Sequence, residues 1–141
     1  MKISFHGAAR TVTGSKHLVQ LANGENFLLD CGLFQGMGRD TDTYNANFGF
    51  DAKTVNYVIL SHAHIDHTGL LPKLASEGFR GKVYCTPATK ALVEILLEDS
   101  AMIQRDDAKY KIKDWQEKGC RKWNPYTLSM MCIYCFPCCK L

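Results

Sequence analysis

The stretch Ser61 to Gly69, SHAHIDHTG, gathers three of the chain's five histidines and one carboxylate. Imidazole is the commonest protein metal ligand and, when neutral, suits zinc. In an extended segment His62 and His64 point to the same side, whereas the adjacent Asp66 and His67 diverge. One pair can therefore grip one ion while the other reaches a second. A hydrolytic zinc centre leaves a coordination position open, where the pKa of bound water falls towards 7. Asp66 could also orient the attacking water or carry its proton. Ligating histidines normally pass their second N–H to a carboxylate or carbonyl, and Asp30 is the candidate for that support. The competing reading is a set of surface histidines on a loop; HxHxDH directly after a β run disfavours it.

The surrounding elements place this stretch at a strand end. Lys2–Phe5 reads as an opening strand. His17–Leu21 and Glu25–Leu29 are apolar runs joined through Ala22-Asn23-Gly24, and Asn-Gly between such runs signals a hairpin. Asp30 follows the second run directly. Gly32 to Phe50 reads as an irregular loop. Asn56–Leu60 is a buried strand leading into the histidines. Thr68 to Ser76 is predicted helical, with Pro72 in its first turn and Gly78 as its stop. Lys82–Cys85 is a further strand. Thr86 caps a helix with Pro87 at its first position. Ala88, Ala91, Leu92, Ile95, Met102 and Ile103 follow its period to about Asp107, and a separate charged helix is expected over Ala108–Lys118. Strands alternating with helices argue for an α/β architecture, with the metal stretch where such sheets place ligands.

The 141 residues suit one domain, and an apolar fraction of 46% is ordinary for a globular protein. No apolar run approaches the roughly 18 residues of a membrane span, and no secretory signal opens the chain. The cytoplasm is the expected compartment, without structural disulfides. All 14 acids and 14 of the 17 Lys and Arg precede Arg121, so the +3 charge comes from the tail. Four of seven cysteines fall in Cys132–Cys139. Their overlapping CxxC spacings are compatible with zinc or iron–sulfur binding, but no second ligand pair lies at zinc-ribbon distance. His6 and His17 read as structural residues. The GAARTVTGS loop lacks a P-loop's Gly-Lys-Ser/Thr.

HAHIDH with Thr68-Gly69 resembles the metal-binding signature of the metallo-β-lactamase fold superfamily. Gly7-Ala8-Ala9, Thr11 to Ser15, Asp30 to Gly36, Thr86 to Thr89 and Leu97 to Ser100 look like one branch of it, the β-CASP RNA-processing nucleases. The resemblance covers about Lys2 to Gly119. It implies a four-layered αββα fold, two zinc ions and hydrolysis of RNA phosphodiesters. It also implies that His62 and His64 bind one zinc, that Asp66 and His67 bind the other, and that Asp30 buttresses them.

The family pattern goes on to a further histidine ligand, a bridging aspartate, a final histidine and an inserted β-CASP domain. No histidine follows His67 here. Asp99, Asp106, Asp107 and Asp114 lie in predicted helix and do not match the bridging position. Residues 1–122 are therefore expected to form the first part of the fold, with 123–141 a divergent tail outside it. A truncated or frame-shifted chain, or one piece of a split gene, is the simplest account. Two donors per ion predict loose metal binding and weak or absent RNA hydrolysis, and a sheet without its opposing layer predicts self-association through an exposed apolar face. Two other readings remain: another hydrolase of the fold, such as a thioester hydrolase, and a non-catalytic metal-binding or interaction module.

Overall fold

The computed structural model describes residues 1–36 and 38–117. Five strands form one mixed sheet in chain order. They are β1 (Lys2–Phe5), β2 (His17–Gln20), β3 (Asn26–Leu29), β4 (Tyr57–Ile59) and β5 (Lys82–Tyr84). The first three pair antiparallel and β3, β4 and β5 run parallel. The Asn23-Gly24 turn closes the β2–β3 hairpin, with Gly24 at φ 89°. Each parallel pairing needs a crossover, so β3 and β4 end on the same sheet edge. Asp30 and the histidine stretch emerge there together.

The helices are α1 (Thr41–Ala46), α2 (Ile65–Thr68), α3 (Leu71–Ser76) and α4 (Pro87–Glu117). Alternation turns Leu18, Leu28 and Val58 to one sheet face, where they meet Leu70, Leu71, Leu74, Val93 and Leu97. Each such fully buried side chain contributes about 1.5–3 kcal/mol. The opposite face carries Ile3, Phe5, Ile59 and Tyr84, all exposed. Among the described residues no second sheet covers it. This α/β arrangement is one sheet with helices on one side, the first half of the expected layers.

Four expectations change. The loop after Gly32 contains α1, and buried Asn45 anchors it by accepting from Phe34 N–H at 2.8 Å and donating to Phe34 O at 3.0 Å. The helix expected over Thr68–Ser76 is α3, which starts only at Leu71 and holds Pro72 in its first turn as expected, and a separate single turn, α2, precedes it. The two helices expected after Thr86 are one, because no glycine or proline interrupts residues 88–117. Its buried face is also different. Thr89, Val93 and Leu97 pack inward, while Leu92, Ile95, Met102 and Ile103 of the expected stripe are exposed. The Thr86 cap forms as expected, its Oγ1 accepting from Thr89 N–H at 3.2 Å. The Cys132–Cys139 cluster and the 123–141 tail lie outside the described residues.

Lys16 is fully buried. Its Nζ donates to Gly32 O at 3.3 Å and sits 4.2 Å from the Phe34 ring centroid. Burial lowers its pKa to about 8. The unfolded lysine titrates near 10.4, so between about pH 8 and 10 the unfolded chain binds more protons and stability rises with pH. Burial pushes the Cys31 thiol up, which opposes this rise above about pH 9. Urea denaturation is expected to show stability increasing from pH 7 to pH 9. Lys16→Met is expected to remove that rise and to stabilise the chain at pH 7 by about 1–3 kcal/mol. A pH slope unchanged in Lys16→Met contradicts this.

Candidate metal centre

Two backbone segments are zipped together beneath the histidines. Cys31 N–H donates to His67 O, Leu33 N–H to Ile65 O, and Leu70 N–H to Cys31 O. Ser15 N–H donates to Asp66 O, and Gly32 N–H to Ser15 O. The approach requires glycine at Gly32, where a Cβ would sit 1.6 Å from Asp66 O. Gly14, at φ 79°, is also crowded, and a Cβ there would sit 2.6 Å from the Phe34 ring. The GAARTVTGS loop is pinned to the same strand end, with Thr13 Oγ1 donating to Gln35 O at 2.9 Å. That hydroxyl is committed within the chain.

Asp30 occupies the centre of the network. Its φ is 58°, a left-handed conformation that aspartate tolerates better than most residues. It turns the carboxylate under the histidines, nearly buried. Oδ1 accepts from Ser61 N–H at 2.8 Å. Oδ2 accepts from Ser61 Oγ–H at 2.9 Å, from His67 Nδ1–H at 2.8 Å and from Ser15 Oγ–H at 3.4 Å. A carboxylate only accepts, so His67 carries its proton on Nδ1. Ser61 donates its hydroxyl hydrogen to Asp30, so its oxygen accepts from His62 Nδ1–H at 2.9 Å. Both imidazoles thereby carry a proton on Nδ1 and turn Nε2 away from the Asp30 network. That is the arrangement a metal-ligating histidine requires.

The sequence-predicted donors are brought together. The ring centroids of His62 and His67 lie 4.0 Å apart, and those of His62 and His64 lie 4.7 Å apart. Asp66 Oδ2 lies 3.5 Å from His67 Nε2. Asp66 and His67 do not diverge as expected. They fall on the single turn of α2, where the backbone is helical instead of extended, and their polar ends meet. His64 caps that turn, its carbonyl accepting from His67 N–H at 2.9 Å. Among the described residues, no three His, Cys, Asp or Glu groups form a preformed cage around one point. The donor chemistry nevertheless fits a divalent cation, with the Nε2 atoms turned away from Asp30 and the Asp66 carboxylate beside that of His67.

Sequence reasoning missed Ser61 and Ser15. Ser61 stands next to His62 in the chain, but its link to Asp30 spans 31 positions and becomes visible only once β3 and β4 pair. His6 is structural, as expected, packing edge-on against Phe50 at 4.9 Å. Partial burial and the nearby Lys16 lower its pKa.

A strand end that sets three imidazoles and a carboxylate beside one another in neighbouring pairs defines a candidate metal-binding α/β protein. Residues 13–122 match the Metallo-beta-lactamase superfamily, and the chain belongs to that family. It is 55% identical over 103 residues to Ribonuclease TTHA0252 of Thermus thermophilus, covering 73% of this chain and 23% of that protein. It is 37% identical over 111 residues to Integrator complex subunit 11 of Danio rerio, covering 75% of this chain and 18% of that protein. Transcription termination factor FttA of Methanocaldococcus jannaschii is 33% identical over 117 residues, covering 81% of this chain and 18% of that protein. The chain thus spans about a quarter or less of the length of these relatives. They bear out the β-CASP resemblance read from the motifs.

Asp30→Asn keeps shape but turns an NH2 group towards three donors. Divalent-metal affinity, measured by chelator competition, is expected to fall about 10- to 100-fold. Stability in urea is expected to fall by about 1–3 kcal/mol. Unchanged affinity contradicts the role given to Asp30.

Proposed function

We propose that this chain carries the metal-binding strand end of a zinc-dependent hydrolase that cleaves RNA phosphodiester bonds. The observation that carries the reading is the shared orientation of His62 and His67. Asp30 and Ser61 commit both Nδ1 atoms inward and leave both Nε2 atoms to a cation. The names of the relatives, above all a ribonuclease 55% identical, support RNA as the substrate class. In this reading His62 and His64 hold one zinc, and Asp66 and His67 hold a second. Bound zinc supplies Lewis acidity and lowers the pKa of its water. Asp30 orients the imidazoles. The carboxylate of Asp66 orients the attacking water and accepts its proton. Residues 1–122 form the family fold and 123–141 lie outside it.

Hydrolytic zinc sites use three protein ligands, and these four side chains supply two per ion. The 141-residue chain therefore binds zinc loosely and works slowly. No described helix is long and apolar enough to cross a membrane, and we place the chain in the cytoplasm. The exposed apolar sheet face favours association of the isolated chain with itself.

A thioester hydrolase on the same fold is the alternative, and a paired assay separates the two. With zinc supplied, the full chain is expected to cleave single-stranded RNA slowly. Chelator and His64→Ala are each expected to abolish the cleavage, and a thioester is expected to remain intact. Preferential thioester turnover, or RNA cleavage indifferent to chelator, overturns the reading. Rapid zinc-dependent RNA cleavage overturns the two-donor account of the site.

A further inference from the structure

We infer that His17 is a positioning residue for the same centre, acting on His67 through Ser15 and Asp30; the inference rests on the metal reading above. Antiparallel pairing sets His17 opposite Leu29, the residue before Asp30. The chain leading into β2 therefore runs past the Asp30 carboxylate. Buried Ser15 Oγ–H donates to Asp30 Oδ2 at 3.4 Å. With its proton directed there, the Ser15 oxygen is left to accept, and His17 Nε2 lies 3.4 Å from it. His17 therefore carries its proton on Nε2.

The other ring nitrogen agrees. His17 Nδ1 is buried and has no hydrogen-bond partner among the described residues. With the proton on Nε2, Nδ1 is a bare lone pair and no N–H is stranded there. The Phe5 ring meets His17 edge-on, with centroids 5.1 Å apart and planes at 69°, and holds the imidazole in place. Every proton in the network then points towards Asp30. His17 gives to Ser15, Ser15 gives to Asp30 Oδ2, and His67 gives to the same oxygen.

Such chains polarise and orient their members together. His17 keeps the Ser15 hydroxyl turned towards Asp30. Ser15 fixes the tilt of a carboxylate that His67 and Ser61 share. Without His17 the hydroxyl rotates freely, Asp30 loses one restraint, and the tautomer of His67 is held less firmly. His17 touches neither substrate nor the reacting atoms, and its effect is confined to the geometry of the ligand set.

Long-range proton–nitrogen NMR of the metal-free full chain reads the tautomers directly. The wild-type spectrum is expected to show His67 protonated on Nδ1 and His17 protonated on Nε2. In His17→Ala and in Ser15→Ala, His67 is expected to become a mixture of tautomers. Zinc affinity in each is expected to weaken about three- to tenfold, below the effect of removing a direct partner. The double variant is expected to be no weaker than Ser15→Ala. His17→Gln, which retains an N–H able to reach Ser15, is expected to restore the pure tautomer, showing that the fold itself is not at issue. An unchanged His67 tautomer in His17→Ala, or additive losses in the double variant, overturns the proposal. If the wild-type chain takes up no zinc, the metal reading fails, while the tautomer comparison still decides the role of His17.

Discussion

Asp30 joins four parts of the chain through one carboxylate. Its partners Ser15, Ser61 and His67 lie 15, 31 and 37 residues away. Bonds to an ionised acceptor are roughly twice as strong as neutral ones, and this one is nearly buried, where an unpaired charge is costly. The carboxylate therefore demands its donors, and satisfying it draws the hairpin, the strand end of β4 and the first turn of α2 to one point. The same demand fixes the tautomers. A structural requirement of the fold and a chemical requirement of the site are met by the same bonds.

The backbone makes that meeting possible. Asp30 leaves β3 in a left-handed conformation, and Gly32 lets the Asp66 carbonyl approach closer than any side chain allows. Parallel pairing of β3 with β4 brings both strand ends to one edge. The hydrophobic contacts of Leu28, Val58 and Leu74, each fully buried, hold the register. A slip of one residue would turn Leu28 and Val58 outward and carry Asp30 away from Ser61. Packing on one face of the sheet therefore sets the positions of polar groups at its end.

Much of this was legible in the residues themselves. All five strands fall within a residue or two of their expected spans, and the Asn-Gly hairpin and Thr86-Pro87 helix start are where local chemistry puts them. HxHxDH after a β run pointed to the family and to the candidate donors. What stayed hidden depends on tertiary placement. An extended backbone makes Asp66 and His67 diverge, and the single helical turn of α2 reverses that. Helix α4 carries two apolar stripes. Periodicity favoured the longer one, through Leu92 and Ile95, yet the core takes Val93 and Leu97. The roles of Ser15 and Ser61 arise from contacts across strands and leave no local signal.

We propose that the imidazoles oriented by the Asp30 network, and not the cysteines, hold the metal. X-ray absorption at the zinc edge, on the full chain loaded with one equivalent of zinc, tests it most directly. The account predicts a shell of nitrogen and oxygen at about 2.0–2.1 Å with imidazole outer-shell scattering, which weakens in His62→Ala. Sulfur at about 2.3 Å in the wild-type shell would contradict it.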